Sequence, residues 1–110
     1  MTNNYAELTN SEISAKIACM RGWRVEVRED GRGYIYAPNE RLIGYYHTER
    51  LAWARAPRFA SNLNRAWELF VEMTRAGTEG HACLIESIEK CATPARAICE
   101  AWLWWKEQQR

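Results

Sequence analysis

The feature that most constrains the fold is an alternating segment that turns back on itself between residues 23 and 38. In WRVEVRE, the apolar Val25 and Val27 alternate with charged residues, which is the period of a β-strand with one buried and one solvated face. The turn sequence EDGRG follows, and YIYAP returns as a second strand that ends by Pro38. We therefore expect an antiparallel hairpin, and RLIGYYH predicts a third short strand.

Helical patterns lie on both sides of this hairpin. Thr9 and Glu12 have the spacing of a capping box, and Gly22 can end this first helix in a left-handed conformation. SNLNRAWELFVEMTRAG predicts a second helix with Ser61 as its N-cap. Between these helices, Pro57 argues against regular structure in the region from about residue 50 to residue 60.

The C-terminal part of the chain adds one strand and one helix to the prediction. HACLIESI predicts a fourth strand, and Thr93 followed by a proline is typical of the first turn of a helix. The chain is 47% apolar and 26% charged, as expected of a globular protein. We therefore predict a single α+β domain over residues 1–110, with a small antiparallel sheet of three to four strands packed with three α-helices.

Charge and cysteine usage exclude several classes of protein. The chain has 15 basic and 14 acidic residues, so no overall field attracts it to nucleic acid or to a membrane. No secretory signal and no apolar run of ~20 residues is visible, which predicts a cytoplasmic protein without a membrane partner. The four cysteines form no C-x-x-C pair, so we expect reduced, buried thiols and no metal site; they are Cys19, Cys83, Cys91 and Cys99.

Two predicted helices have apolar residues away from their core-facing side. On the last helix, Trp104 falls about 200° from Trp102, which is the centre of the predicted buried stripe. On the second helix, Leu69 and Met73 lie opposite a predicted core stripe centred on Trp67. Because a contiguous exposed apolar patch is typical of partner surfaces, we predict that Trp104, Leu69 and Met73 bind a partner. The alternative is that the two helices bury these residues against each other.

A second candidate surface is the segment 40–59, in which arginines alternate with aromatic residues. It has four arginines and two glutamates, a formal charge of 4 − 2 = +2. Guanidinium groups bind phosphates and carboxylates, and aromatic rings stack on bases, so the segment could bind a nucleotide, a nucleic-acid strand or an acidic protein surface. The alternative is a solvated loop whose aromatics complete the core. The candidate binding residues are Tyr45, Tyr46, Arg50, Trp53, Arg55 and Arg58.

No set of residues predicts catalysis. A nucleophile, a base and a group that orients the base are not visible together, so we expect a protein that is not an enzyme, with no catalytic residues and no cofactor. The possible pairs, His47 with Glu49 and His81 with Cys83, each lack a third member.

Three stretches resemble a known group of proteins in their order and spacing. AKIACMRGW (15–23), FASNLNRAWELFVEM (59–73) and TPARAICEAWLWW (93–105) resemble the small bacteriophage proteins of the phage ABA-sandwich domain family. The resemblance implies an antiparallel sheet packed with helices and a phage or prophage origin, and it carries over no catalytic residues. The chain departs from the family where three tryptophans stand at positions that tend to hold smaller aliphatic residues; they are Trp102, Trp104 and Trp105.

The resemblance also gives an expectation of function, because small phage proteins of this size often inhibit host defence. We expect a non-enzymatic binding protein that blocks a host protein or protein–nucleic acid complex, with a CRISPR effector complex as the favoured target. One alternative is an oligomeric sponge that sequesters an anionic, nucleotide-type signalling molecule. Another is a phage accessory protein whose apolar surface only makes a homo-oligomer.

Overall fold

The computed structural model describes residue 5 and residues 7–75 and 93–108. The elements are α1 (Asn10–Met20), β1 (Arg24–Val27), β2 (Gly33–Tyr36), β3 (Leu42–Tyr46), α2 (Glu49–Trp53), α3 (Leu63–Arg75) and α4 (Pro94–Gln108). The strands form one antiparallel sheet in the order β1-β2-β3. The α+β prediction is confirmed, and the strand predicted at 81–88 lies outside the described residues.

Helix α1 begins and ends as its sequence predicts. The Thr9 hydroxyl accepts the N–H of Glu12 and the Glu12 carboxylate accepts the N–H of Thr9, both at 3.1 Å. At the other end, the N–H of Trp23 donates to the carbonyl of Ala18 at 3.0 Å while Gly22 adopts a φ of +102°. This is the helix ending that glycine favours, and it directs the chain straight into β1.

The inner face of the sheet is defined by its register. Val25 pairs with Ile35, and Ile35 pairs with Gly44, so these three positions share one face. Ile35 is fully buried. The neighbouring Gly33 lets α2 approach the sheet, because a Cβ at this position would lie 3.0 Å from the Cβ of Ala52.

Helix α2 is the element that the sequence did not predict. It begins after Thr48, whose hydroxyl accepts the N–H of Leu51 at 3.2 Å, and it ends at Trp53, before Pro57. Proline removes a backbone donor and disfavours continuation of a helix, so Pro57 limits the length of α2 rather than preventing it. The described residues therefore contain four helices where three were predicted.

The two longer C-terminal helices begin at side-chain caps. The N–H of Arg96 donates to the Thr93 hydroxyl at 3.3 Å, which confirms the predicted start of α4. Helix α3 begins one residue later than predicted, because the Asn62 side chain, rather than Ser61, accepts the N–H of Asn64 at 3.0 Å. Asparagine is an equally favourable N-cap residue, so the sequence did not distinguish the two starts.

The orientation of α3 is the reverse of the prediction. Leu69 and Met73 are fully buried in the core, whereas Trp67 is 53% exposed. Both strips are apolar, and α3, which packs against α4, buries the strip that also includes Ala66. The exposure predicted for Leu69 and Met73 is therefore wrong, and the alternative that the helices bury these residues is confirmed.

Helix α4 faces the core as predicted on one side and differs on the other. Trp102 and Trp105 are buried, in agreement with the predicted stripe. Arg96 and Glu100 lie outside that stripe and are charged, yet they form a buried ion pair with an Nε–Oε2 distance of 2.6 Å. The N-terminal segment explains the difference, because the Arg96 guanidinium also donates to the carbonyl of Tyr5 at 2.7 Å.

Candidate functional site

The structure separates the predicted binding residues instead of gathering them into one surface. Arg50, Trp53 and Arg58 line a cleft beside α1. Tyr45 lies on the outer face of the sheet, where it stacks on Tyr34. Arg55 and Tyr46, two further predicted binding residues, contact each other, because the Arg55 guanidinium lies 5.3 Å from the centroid of the Tyr46 ring. Tyr46 itself packs against the core.

The apolar part of the predicted surface is not retained. Leu69 and Met73 belong to the core, as described above, and Trp104 is half-buried and packs against the core. Trp104, which was predicted to lie away from the core-facing side of its helix, is thus only partly covered by the described residues, and its ring is not fully enclosed. Exposed apolar area on α3 is found instead around Trp67, whose ring stacks on Phe70 with centroids 4.5 Å apart.

The outer face of the sheet carries a layer of stacked arginine and tyrosine side chains. In register, Arg24 pairs with Tyr36 across β1 and β2, and Tyr34 pairs with Tyr45 across β2 and β3. The Tyr34 and Tyr45 rings are stacked with centroids 5.3 Å apart, and Tyr45 is 55% exposed. We call this layer the arginine–tyrosine face; its members are Arg24, Arg28, Arg32, Tyr34, Tyr36 and Tyr45.

Each arginine of this face lies over a tyrosine ring. The distances from the guanidinium carbon to the ring centroid are 3.7 Å for Arg28 over Tyr34 and 4.0 Å for Arg24 over Tyr36. Arg32 lies over Tyr45 at a longer 5.4 Å. A cation over an aromatic face is attracted by the ring quadrupole, so these contacts hold the guanidinium groups against the sheet.

Two of these arginines also donate hydrogen bonds to neighbouring side chains. The pKa of Arg24 is raised above its ordinary value, chiefly by the hydrogen bond that it donates to Glu40 at 2.8 Å. The pKa of Arg28 is also raised, chiefly by the hydrogen bond that it donates to the Tyr36 hydroxyl at 3.2 Å. The raised pKa values reflect these hydrogen bonds, and both groups are cations on this surface, as arginines are at any physiological pH.

The arginine–tyrosine face is nevertheless close to neutral. Each of its arginines has a carboxylate within ion-pair distance: Glu40 is 2.8 Å from Arg24, Glu26 is 3.6 Å from Arg28, and Asp30 is 3.8 Å from Arg32. Three cations and three carboxylates give a local charge of 3 − 3 = 0. Such a surface offers directional donors without a net field.

Most residues of this face were not predicted as a site, because each one fits an ordinary strand pattern. Arg24 alternates with apolar residues in β1, Arg28 continues this alternation directly after the strand, and Tyr34 and Tyr36 alternate in β2. The residues of this face could have been predicted by comparing the alternating patterns of the two hairpin strands. One strand presents arginines on the same face of the sheet on which the other presents tyrosines. Of the residues predicted from the sequence, the face contains Tyr45.

The cleft lies between the N-terminal half of α1 on one side and α2 with the following loop on the other. Its volume is about 700 Å³, and its walls include Thr9, Ser14, Arg50, Trp53 and Arg58. Trp53 is half-buried, whereas both arginines are exposed.

Several polar groups of the cleft already have structural roles. The buried Ser14 hydroxyl accepts the N–H of Ala60 at 3.0 Å, which ties the loop after α2 to α1. The Thr9 hydroxyl belongs to the capping box with Glu12. The pKa of Glu12 is lowered by the hydrogen bonds from the Thr9 backbone and side chain, and to a smaller extent by the charge of Arg50.

The described residues contain neither a cluster of metal-ligating side chains nor a helix suited to cross a membrane. In residues 5, 7–75 and 93–108, no three histidine, cysteine or acidic side chains are grouped as a metal ion would require. No helix in the same part of the chain combines the length and the apolar character needed to cross a membrane. Cys99 is buried as predicted, whereas Cys19 is exposed, and His81, Cys83 and Cys91 lie outside the described residues.

No family model matches the chain, and no curated protein or solved structure is significantly similar to it. The resemblance of its three stretches to the phage ABA-sandwich domain therefore stays a prediction. The candidate sites are accordingly defined by their geometry, as the arginine–tyrosine face of the sheet and the cleft beside α1.

Proposed function

We propose that this chain is a non-enzymatic, phage-encoded binding protein that uses its arginine–tyrosine face to bind a protein subunit of a host defence complex and so inhibits it. A CRISPR effector complex is the favoured target. The observation that carries the proposal is the exposed layer in which Arg24, Arg28 and Arg32 each lie over a tyrosine ring. Arginine and tyrosine are the residue types that contribute most to binding energy at protein interfaces.

The stacking makes these arginines efficient binding groups. A free arginine side chain loses about 0.5–1.5 kcal/mol of conformational freedom when an interface immobilises it. On this face, the rings of Tyr34 and Tyr36 already restrict Arg28 and Arg24, so part of that loss occurs on folding. The guanidinium N–H groups that do not donate to Glu40 or to the Tyr36 hydroxyl remain available for carboxylates or backbone carbonyls of a partner.

The charge balance favours a protein partner over nucleic acid. Binding to nucleic acid draws most of its affinity from a surplus of cations that displaces counterions from the phosphates. The face has no such surplus, because its three arginines stand beside three carboxylates. Exposed aliphatic side chains on β3, the strand that also carries Tyr45, add the apolar contact that protein interfaces use; they are Leu42 at 46% and Ile43 at 44% exposure.

The test is a phage-plaquing assay in bacterial strains that each carry one CRISPR system targeting the phage. Expression of the wild-type chain is expected to restore plaquing in at least one strain. The double variant Arg28→Glu with Tyr45→Ala should abolish the rescue. The matched control is Arg65→Glu on α3, because the Arg65 side chain is exposed to a similar extent, 51% against 47% for Arg28. This control should retain the rescue.

Three outcomes would overturn the proposal. Absence of rescue in every strain removes the proposed activity, and equal rescue by the wild type and the double variant removes the proposed surface. A third check is native mass measurement of both proteins, together with a filter-binding assay on single-stranded DNA. If the double variant still rescues plaquing but loses self-association or DNA binding, the arginine–tyrosine face binds a second copy of the chain or nucleic acid instead of a defence protein.

A further inference from the structure

The cleft beside α1 has the size of a small-molecule site. Binding sites for small ligands occupy about 300–1,000 Å³, and this cleft measures about 700 Å³. It lies on the other side of the sheet from the arginine–tyrosine face, because α2 packs on the inner face through Ala52. No residue of the arginine–tyrosine face lines the cleft.

The arginines of the cleft differ from those of the sheet in their partners. Within the described part of the chain, neither Arg50 nor Arg58 forms an ion pair. Among the residues that the structure describes, Glu12 is the one acidic side chain that lines the cleft, and its carboxylate is held in the capping box by Thr9. Two arginines against one carboxylate leave a surplus of 2 − 1 = +1, so the cleft favours an anion.

Trp53 supplies the second chemical feature of the cleft. Its side chain is half-buried, packs against the core and lines the cleft. Along the chain, Trp53 lies between Arg50 and Arg58. An indole that is held by the core and open on one side offers a flat apolar surface on which a planar ring can stack. The hydroxyl groups of Ser11 and Ser61, also in the lining, supply neutral donors and acceptors.

We infer that this cleft binds a small anion that carries a planar ring, of the nucleoside monophosphate class. Arg50 and Arg58 bind the phosphate through their guanidinium groups, and the Trp53 indole stacks on the base. The inference is independent of the proposed inhibition through the sheet, because the two surfaces share no residue. It also gives a physical basis to the alternative in which the protein sequesters a nucleotide-type molecule.

Isothermal titration calorimetry of the full chain with the four 5′-ribonucleoside monophosphates tests the inference. At least one of the nucleotides is expected to bind saturably. Adenosine, which lacks the phosphate, and inorganic phosphate, which lacks the base, should each bind more weakly than the nucleotide. Arg50→Gln and Arg58→Gln should each weaken binding about tenfold or more, since each removes a charge-assisted hydrogen bond. Trp53→Leu should weaken binding of the nucleotide and leave that of inorganic phosphate unchanged.

The controls separate a local effect from loss of fold and from the other surface. Arg65→Gln removes an exposed arginine outside the cleft and should leave the affinity unchanged. The Arg28→Glu with Tyr45→Ala variant should also bind the nucleotide normally, so failure of one proposal is distinguishable from failure of the other. Circular dichroism of each variant verifies that α1 and α2 remain folded.

Absence of saturable binding by all four nucleotides overturns the inference. Inorganic phosphate binding as tightly as the nucleotides, with no effect of Trp53→Leu, also overturns it, because the planar ring would then contribute nothing. Adenosine binding as tightly as its monophosphate would overturn the assignment of Arg50 and Arg58 as phosphate ligands.

Discussion

The ion pair between Arg96 and Glu100 provides the sharpest test of how this domain holds its N-terminal segment. The Arg96 side chain is 13% exposed and that of Glu100 is 6% exposed. The guanidinium donates to Glu100 at 2.6 Å, to the Asn10 side chain at 2.9 Å and to the Tyr5 carbonyl at 2.7 Å. One residue of α4 thus connects the start of α1 and the segment before it.

Replacing Arg96 with alanine removes the cation from a carboxylate that stays buried. Breaking a buried ion pair by removal of one partner costs about 3–5 kcal/mol. We take the lower end, about 3 kcal/mol, because Glu100 has a further contact and is not left without a partner. For a domain whose total stability is of the order of 5–15 kcal/mol, this is a large fraction.

The matched control is Arg65→Ala, which breaks a pair of the same chemistry on α3. The Arg65–Glu68 distance is 3.5 Å, and the two side chains are 51% and 48% exposed. Solvent screens such a pair, so its loss should cost about 0.2–0.5 kcal/mol. Both variants exchange arginine for alanine within a helix, so the change in helix propensity is the same in each.

Urea unfolding followed by tryptophan fluorescence measures both changes. With an m-value of about 2 kcal/mol per molar urea, the midpoint should fall by about 1.5 M for Arg96→Ala and by about 0.2 M for Arg65→Ala. Equal shifts in the two variants would refute the reasoning, because burial would then have no influence on the value of the pair. An unchanged midpoint for Arg96→Ala would show that the N-terminal segment is not held by this contact.

Two further predictions concern α2 and α1. Gly33→Ala places a Cβ 3.0 Å from the backbone of Glu49 and from the Cβ of Ala52. The substitution should therefore displace α2 and lower the free energy of unfolding by about 1–3 kcal/mol, measured in the same urea assay. An unchanged unfolding midpoint would contradict the close packing of α2 on Gly33. Glu12 has a lowered pKa in the folded protein, so its contribution to stability is present above its ordinary pKa of 4.5 and is lost as the pH falls through the folded value. The difference in melting temperature between wild type and Glu12→Ala should therefore be constant near neutral pH and shrink in acid, and a difference that does not shrink as the pH is lowered below 4.5 would disprove this origin.

The alternation of Val25 and Val27 with charged residues and the capping box of Thr9 and Glu12 were sufficient to predict the hairpin and α1. These signals are local, because a strand period and a helix cap depend on residues within one element. The buried stripe of α4 around Trp102 was predicted for the same reason, since its apolar residues form a single continuous face.

The candidate sites were predictable only in part. The sequence predicted Arg50, Trp53 and Arg58 as candidate binding residues, but their common cleft depends on α1 lying opposite α2, which no local pattern specifies. The arginine–tyrosine face depends on strand register, since a shift by one residue would move every side chain to the opposite face. Only pairing between the strands brings Arg28 over Tyr34.

The sequence by itself determined the class of fold, the position of the hairpin and the ends of α1, because each follows from interactions between residues close along the chain. Only the tertiary structure decided which side of α3 faces inward. That helix has two apolar strips, one with Trp67 and one with Leu69 and Met73, and the strip that is buried is the one that packs against α4. Helical periodicity gives the angle between two strips but not the position of the neighbouring helix, so burial was settled by packing.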